Sequence, residues 1–92
     1  MLLETSALVA ILLNEPSAAD LSKKLDAAEL AITSPLILME ATMVLSSRWK
    51  VPPEEAEQDI RHFLDQTGVA MLAIDDTTAS LAVQAFQTYG KG

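Results

Sequence analysis

Two glutamates stand where the surrounding sequence does not favour them. Glu4 lies within MLLETSALVAILL and Glu40 within LILMEATMVL, two of the most apolar segments of the chain. On a helix, Glu40 falls one turn from both Leu36 and Val44, which places it on a stripe expected to be buried. Burying an unpaired carboxylate costs several kcal/mol, so a compensating cation is expected. That cation could be an Arg or Lys, or the glutamate could instead snorkel at the edge of the stripe. It could also be a hard divalent ion, magnesium or manganese, bound by oxygen ligands from both acids. Such an ion activates a water and stabilises the charge that develops in phosphoryl transfer. Most of the thirteen acidic residues lie instead in polar stretches, such as Glu54, Glu55 and Glu57, where a solvated face accounts for them.

The elements that must position the two acids follow from turn residues and apolar spacing. Residues 1–3 or 1–4 read as a short buried strand, followed at once by Thr5 or Ser6 as the cap of a helix to about Leu13. Pro16 suits a first helical position, and Leu21, Leu25 and Ala28 give a second helix its apolar face. Residues 30–33 read as a strand. Ser34 and Pro35 form a cap and first turn for a helix over 35–49, in which Leu36, Met43 and Val44 share one side. Pro52 and Pro53 start a charged helix with Ala56, Ile60, Phe63 and Leu64 on its buried stripe, ended by Gly68. Residues 69–74 form a third strand. Asp75 or Asp76 with Thr77 caps a last helix, whose Ala79, Ala82, Val83, Phe86 and Tyr89 face inward before Gly90.

Strands separated by helices need crossover connections, so the fold class is α/β with a parallel sheet and helices on its faces. Ligands in such sheets bind beyond the carboxyl ends of the strands. Here that edge holds residues 4–6 and the stretch from Ser34 into its helix, so Glu4 and Glu40 are expected together.

Composition limits the alternatives. The chain has 92 residues, enough for one domain over 1–92, and half of them are hydrophobic, a globular balance. A net charge of -7 argues against a broad sequence-independent grip on a nucleic-acid backbone, leaving local or metal-mediated contacts. The absence of cysteine excludes disulfides and thiolate metal sites, and a cytoplasmic setting is the default. The apolar run 7–13 lacks a preceding positive charge and falls far short of the ~20 residues needed to span a bilayer, so it is read as part of the fold. His62 has no second His or Cys near it and belongs on the surface. Arg48 and Lys50 sit where a helix C-terminus favours positive charge, a simpler role for them than RNA contact, for which Lys91 is a further candidate. Trp49, Phe63, Phe86 and Tyr89 are expected to pack the core, and the four methionines to fill it.

Three blocks, taken in order, resemble one family. Glu4-Thr5-Ser6-Ala7-Leu8-Val9-Ala10-Ile11 with Asn14-Glu15-Pro16 resembles the opening of the PIN-domain toxins called VapC: a strand, an Asp-x-Ser turn and an apolar helix ending in Glu-Pro. Ile32-Thr33-Ser34-Pro35 leading to Glu40 resembles the second strand and the helix carrying a metal-binding Glu. Residues 86–92 resemble the family's FxxYGKG stretch, and the resemblance keeps register and order across all 92 residues. It implies a partial PIN-like three-layer α/β fold, a short parallel sheet with helices on both faces that lacks its last strands. It further implies the toxin of a type II toxin-antitoxin pair, a magnesium-dependent (or manganese-dependent) endoribonuclease that cleaves RNA phosphodiester bonds and is held by a cognate antitoxin.

Carried over by position, Glu4 takes the place of the first metal-binding Asp, Ser6 that of the small polar residue supporting it, and Glu40 that of the second acid. The family has Asp where this chain has Glu4, and magnesium tolerates little distortion of its shell. The family also continues past YGKG to a third and often a fourth acid, so the resemblance implies a truncated chain, weakened or inactive as a nuclease. The alternatives are a catalytically dead remnant that binds an antitoxin through a basic peptide suited to the -7 charge, and an inert fragment left by proteolysis or frameshift after Gly90. The resemblance places the first strand centrally, with one side open where later strands would pair. An open apolar edge is a template for self-association, so a homo-oligomer is expected.

Overall fold

The computed structural model describes residues 1–73. Its helices are α1 (Thr5–Leu12), α2 (Ala18–Ala27), α3 (Pro35–Trp49) and α4 (Pro53–Thr67), with strands β1 (Ile32–Thr33) and β2 (Ala70–Met71). The expected last helix, with its Asp75 or Asp76 and Thr77 cap, its inward face from Ala79 to Tyr89 and its terminal Gly90, lies outside the described residues. So do Ile74 and Lys91.

The sheet is parallel, as the crossovers require. β1 pairs with β2 in the register Ile32 to Ala70 and Thr33 to Met71, and on its other side with Leu2 through a single parallel bridge. The expected first strand therefore contracts to one bridged residue, flanked by Leu3 N–H donating to the Ile32 carbonyl (2.8 Å) and Ile32 N–H donating to that of Met1 (2.9 Å). On the far side Ala70 and Leu72 donate to the carbonyls of Ala31 and Thr33.

Each helix start and stop has a local cause, and two differ from expectation. Glu4, in extended conformation, is the N-cap of α1, so Thr5 is the first helical residue and neither Thr5 nor Ser6 caps. This frees the Thr5 hydroxyl from a capping role. Asn14, with φ of 53°, ends the turn after α1; asparagine tolerates that left-handed conformation. Pro16 falls in the connecting turn, and α2 begins after Ser17. α3 has the expected bounds: Ser34 accepts from Ile37 N–H at 3.2 Å, and Pro35 occupies the first turn. It closes on Lys50 in left-handed conformation, where Ser46 and Val51 exchange two bonds of 2.6 and 3.1 Å. α4 ends at Gly68, whose φ of 72° favours a residue without a side chain.

The core gathers Leu3, Leu8 of α1, Leu38, Ala41 and Leu45 of α3, and Ala56, Ile60 and Leu64 of α4, with Trp49 and Phe63 packed partly buried against it. The stripe read for α4 is thus the one it buries. For α3 the buried face is the opposite of the one expected: Leu38, Ala41, Thr42 and Leu45 turn inward. Leu36, Met39, Met43 and Val44 are 51%, 56%, 64% and 40% exposed. α3 carries apolar side chains all round, so spacing alone does not choose its inner face. The small Ala41 lies on the buried side, where it leaves room for close helix approach. The methionines are corrected in the same way: Met1, Met39, Met43 and Met71 are all exposed rather than filling the core.

This choice of face predicts opposite outcomes for neighbouring truncations. Leu45→Ala empties a fully buried position and should cost about 2–5 kcal/mol of unfolding free energy in urea titration. Met43→Ala should stay within about 0.5 kcal/mol of the unsubstituted chain. The reverse ranking would mean that α3 packs through its other side.

Candidate site at the strand ends

The carboxyl ends of two parallel segments lead directly into helices, the first from Leu3 into α1 and the second from Thr33 into α3. Thr33 is fully buried, and its hydroxyl donates to the Leu3 carbonyl at 3.0 Å. That bond ties the end of β1 to the backbone immediately before Glu4. The Glu4 carbonyl then accepts the first bond of α1, from Leu8 N–H at 3.0 Å. Glu4 therefore stands between a bond that fixes Leu3 to the sheet and the first bond of α1.

Glu40 lies in the second turn of α3, and it is exposed, not buried as its neighbours in sequence suggested. Leu36 and Val44 do share its side of the helix, but that side faces outward. No desolvation cost then calls for a cation, and the argument that a buried stripe demands one falls. Geometry brings the two acids' elements together in another way. The Thr5 hydroxyl donates to Glu40 Oε2 at 2.8 Å, joining the first residue of α1 to α3 across 35 positions of sequence. Glu4 is adjacent to Thr5 in the chain, so both glutamates stand at one edge of the sheet.

Glu4 and Ser6 are exposed, and their side chains make no hydrogen bond among the described residues. Their oxygens, with those of Glu40, are hard donors of the kind that magnesium and manganese prefer. Among the described residues no group of three or more His, Asp or Glu side chains gathers closely enough to hold a metal ion. A donor set of one or two carboxylates still suits magnesium, which keeps several waters and completes its shell with substrate phosphates. Thr5, read from the sequence only as a possible helix cap, and Thr33 were not singled out as site residues. A threonine beside a candidate acid or closing a strand carries no distinguishing pattern, and only the fold gives these two their partners.

Elsewhere, His62, Arg48 and Lys50 are exposed, as expected for surface and helix-terminal positions. A groove of about 330 Å³ runs between α3 and α4, lined mainly by Pro35, Leu38, Met39, Met43 and Pro53, with the Glu57–Arg61 ion pair (2.8 Å) at its rim. Among the described residues no helix is long and apolar enough to cross a membrane.

A family model described as PIN domain matches residues 1–92. The chain is similar to the VapC ribonuclease of Mycobacterium bovis and to ribonuclease VapC30 of Mycobacterium tuberculosis, each 30% identical over 92 residues, which are 100% of this chain and 68% of the relative. Ribonuclease VapC of Mycolicibacterium smegmatis is 34% identical over 92 residues, 100% of this chain and 69% of that protein.

The Thr33 bond should be measurable as stability. Thr33→Val keeps the branched shape and leaves the buried Leu3 carbonyl without this donor, and should cost about 1–2 kcal/mol in urea titration. A variant as stable as the original would mean that the strand end is held by backbone pairing alone.

Proposed function

The chain belongs to the PIN-domain family of VapC ribonucleases, and from that premise we propose that it acts as the toxin of a toxin-antitoxin pair, a divalent-metal-dependent endoribonuclease. The observation that carries this reading is the Thr5–Glu40 bond, which sets the start of α1 and the second turn of α3 at the carboxyl edge of a parallel sheet. Ligand sites in open α/β sheets form at that edge. In this reading the 92 residues belong to one domain, and Glu4 and Glu40 hold magnesium or manganese while Ser6 supports Glu4. When bound, the ion supplies an activated water and charge stabilisation at the scissile phosphate.

What the chain itself contributes is position and charge. Glu4 sits on backbone pinned by Thr33 and by the first bond of α1, so its carboxylate starts from a fixed point. Glu40 is steadied from across the site by Thr5. The net charge of -7 opposes a polyanion, so RNA contact is confined to this edge, where bound metal offsets the repulsion. The glutamate at position 4 reaches one methylene further than an aspartate, which makes for weak metal affinity and slow cleavage. The setting proposed is cytoplasmic, where RNA and an antitoxin are both encountered.

A second reading, supported by the same charge, is a catalytically dead PIN remnant that binds its antitoxin or self-associates. A strongly acidic protein suits a basic peptide partner. Self-association in this reading would use the sheet edge beside Leu2, which is exposed and bridges Ile32.

Cleavage of RNA in magnesium decides between the two. The nuclease reading expects metal-dependent cleavage that EDTA abolishes and that Glu40→Gln lowers by at least about 100-fold, beyond what loss of outer-shell support costs. His62→Gln, on the exposed side of α4, should leave the rate unchanged. Cleavage that survives EDTA, or that Glu40→Gln leaves intact, would sink it. An inactive chain that still captures its antitoxin would establish the remnant, and a monodisperse monomer at high concentration would rule out self-association.

A further inference from the structure

We propose that Thr5 is a positioning residue that selects which oxygen of Glu40 is offered to a divalent cation. The inference rests on the metal-dependent reading above and deepens it, giving a ligand-selecting role to the residue whose bond steadies Glu40. Thr5 is the first residue of α1, and the N-cap is Glu4, so the threonine hydroxyl is not consumed by capping. It reaches across to α3 and donates to Glu40 Oε2 at 2.8 Å. Among the described residues this is the hydrogen bond that the Glu40 side chain makes, and it engages one oxygen only.

The consequence is chemical asymmetry within the carboxylate. A hydroxyl donor on Oε2 lowers that oxygen's capacity as a ligand and leaves Oε1 the better donor. Magnesium demands near-ideal octahedral geometry and is met by carboxylates one oxygen at a time, whereas two-oxygen chelation suits larger ions. The Thr5 bond thus favours the one-oxygen mode. It also limits rotation of a glutamate that is otherwise exposed and unrestrained, so less freedom remains to be lost when the cation binds. Partners that orient metal-binding carboxylates in this way typically change affinity by about 10–100-fold.

Two substitutions separate the hydroxyl from the space it fills. Thr5→Val keeps the branched shape and removes the donor; Thr5→Ser keeps the donor and removes the methyl. The measurement is the dissociation constant for Mn2+, read from the loss of the free-ion electron paramagnetic resonance signal on the 92-residue chain, with thermal unfolding followed on the same samples. The expected result is affinity about tenfold weaker in Thr5→Val, recovery to within about twofold in Thr5→Ser, and unfolding temperatures that do not follow that order. Binding unaltered by Thr5→Val overturns the proposal while leaving the metal reading intact. Affinity that falls in both variants in step with unfolding temperature also overturns it, since the threonine then acts only through packing. No saturable Mn2+ binding by the unsubstituted chain overturns the metal reading and this proposal together.

Discussion

Everything at the candidate edge depends on the pairing of the first residues with β1. Leu2 is bridged to Ile32, Leu3 donates to it, and the buried Thr33 hydroxyl closes on the Leu3 carbonyl. These are few bonds, and they lie at the centre of the packing: Leu3 is fully buried among residues of α1, α3 and α4. Burial of Leu3 and satisfaction of its backbone are one constraint, because a carbonyl withdrawn from water needs a donor. Thr33 supplies that donor, and the direction in which α1 leaves the sheet follows.

From there the helices transmit position. α1 starts at a fixed point, α3 starts at its own capped turn after β1, and the two pack against each other over the buried Leu8, Leu38 and Ala41. Apolar packing sets the distance between the helices, and the polar bond from Thr5 to Glu40 sits at the exposed margin of that contact. A surface bond of this kind contributes little to folding, since water competes for both groups. What it fixes is the orientation of the Glu40 carboxylate, which packing around an exposed side chain cannot give.

Much of the fold was legible because it is written in local chemistry. Ser34-Pro35 marks the start of α3, Gly68 the end of α4, and the spacing of Ala56, Ile60 and Leu64 marks the face that α4 buries. The inner face of α3 was not legible, because Leu36, Met39, Met43 and Val44 make its outer side as apolar as its inner one. That ambiguity also misplaced Glu40. Its position as a candidate came from sitting among apolar residues, and it does, but on the side turned to solvent. The family resemblance pointed to the same glutamate on different grounds and does not depend on its burial. The site roles of Thr5, read only as a possible cap, and of Thr33 were not legible because they are long-range hydrogen bonds, and no local pattern announces a partner thirty or more positions away.

Those separations bear on the order in which the chain acquires its shape. Helices form from neighbouring residues, and closing a longer loop costs entropy before any contact rewards it. The bonds that set the candidate edge span 30 and 35 positions, with α1 and α2 wholly inside the loop that they close. On a growing polypeptide Leu2 and Leu3 have no strand partner until Ile32 and Thr33 have been made, and Thr5 must wait for Glu40. The segment that leads into α1 thus finds its place later than the two helices that follow it, and until then its apolar side chains stay open to other contacts.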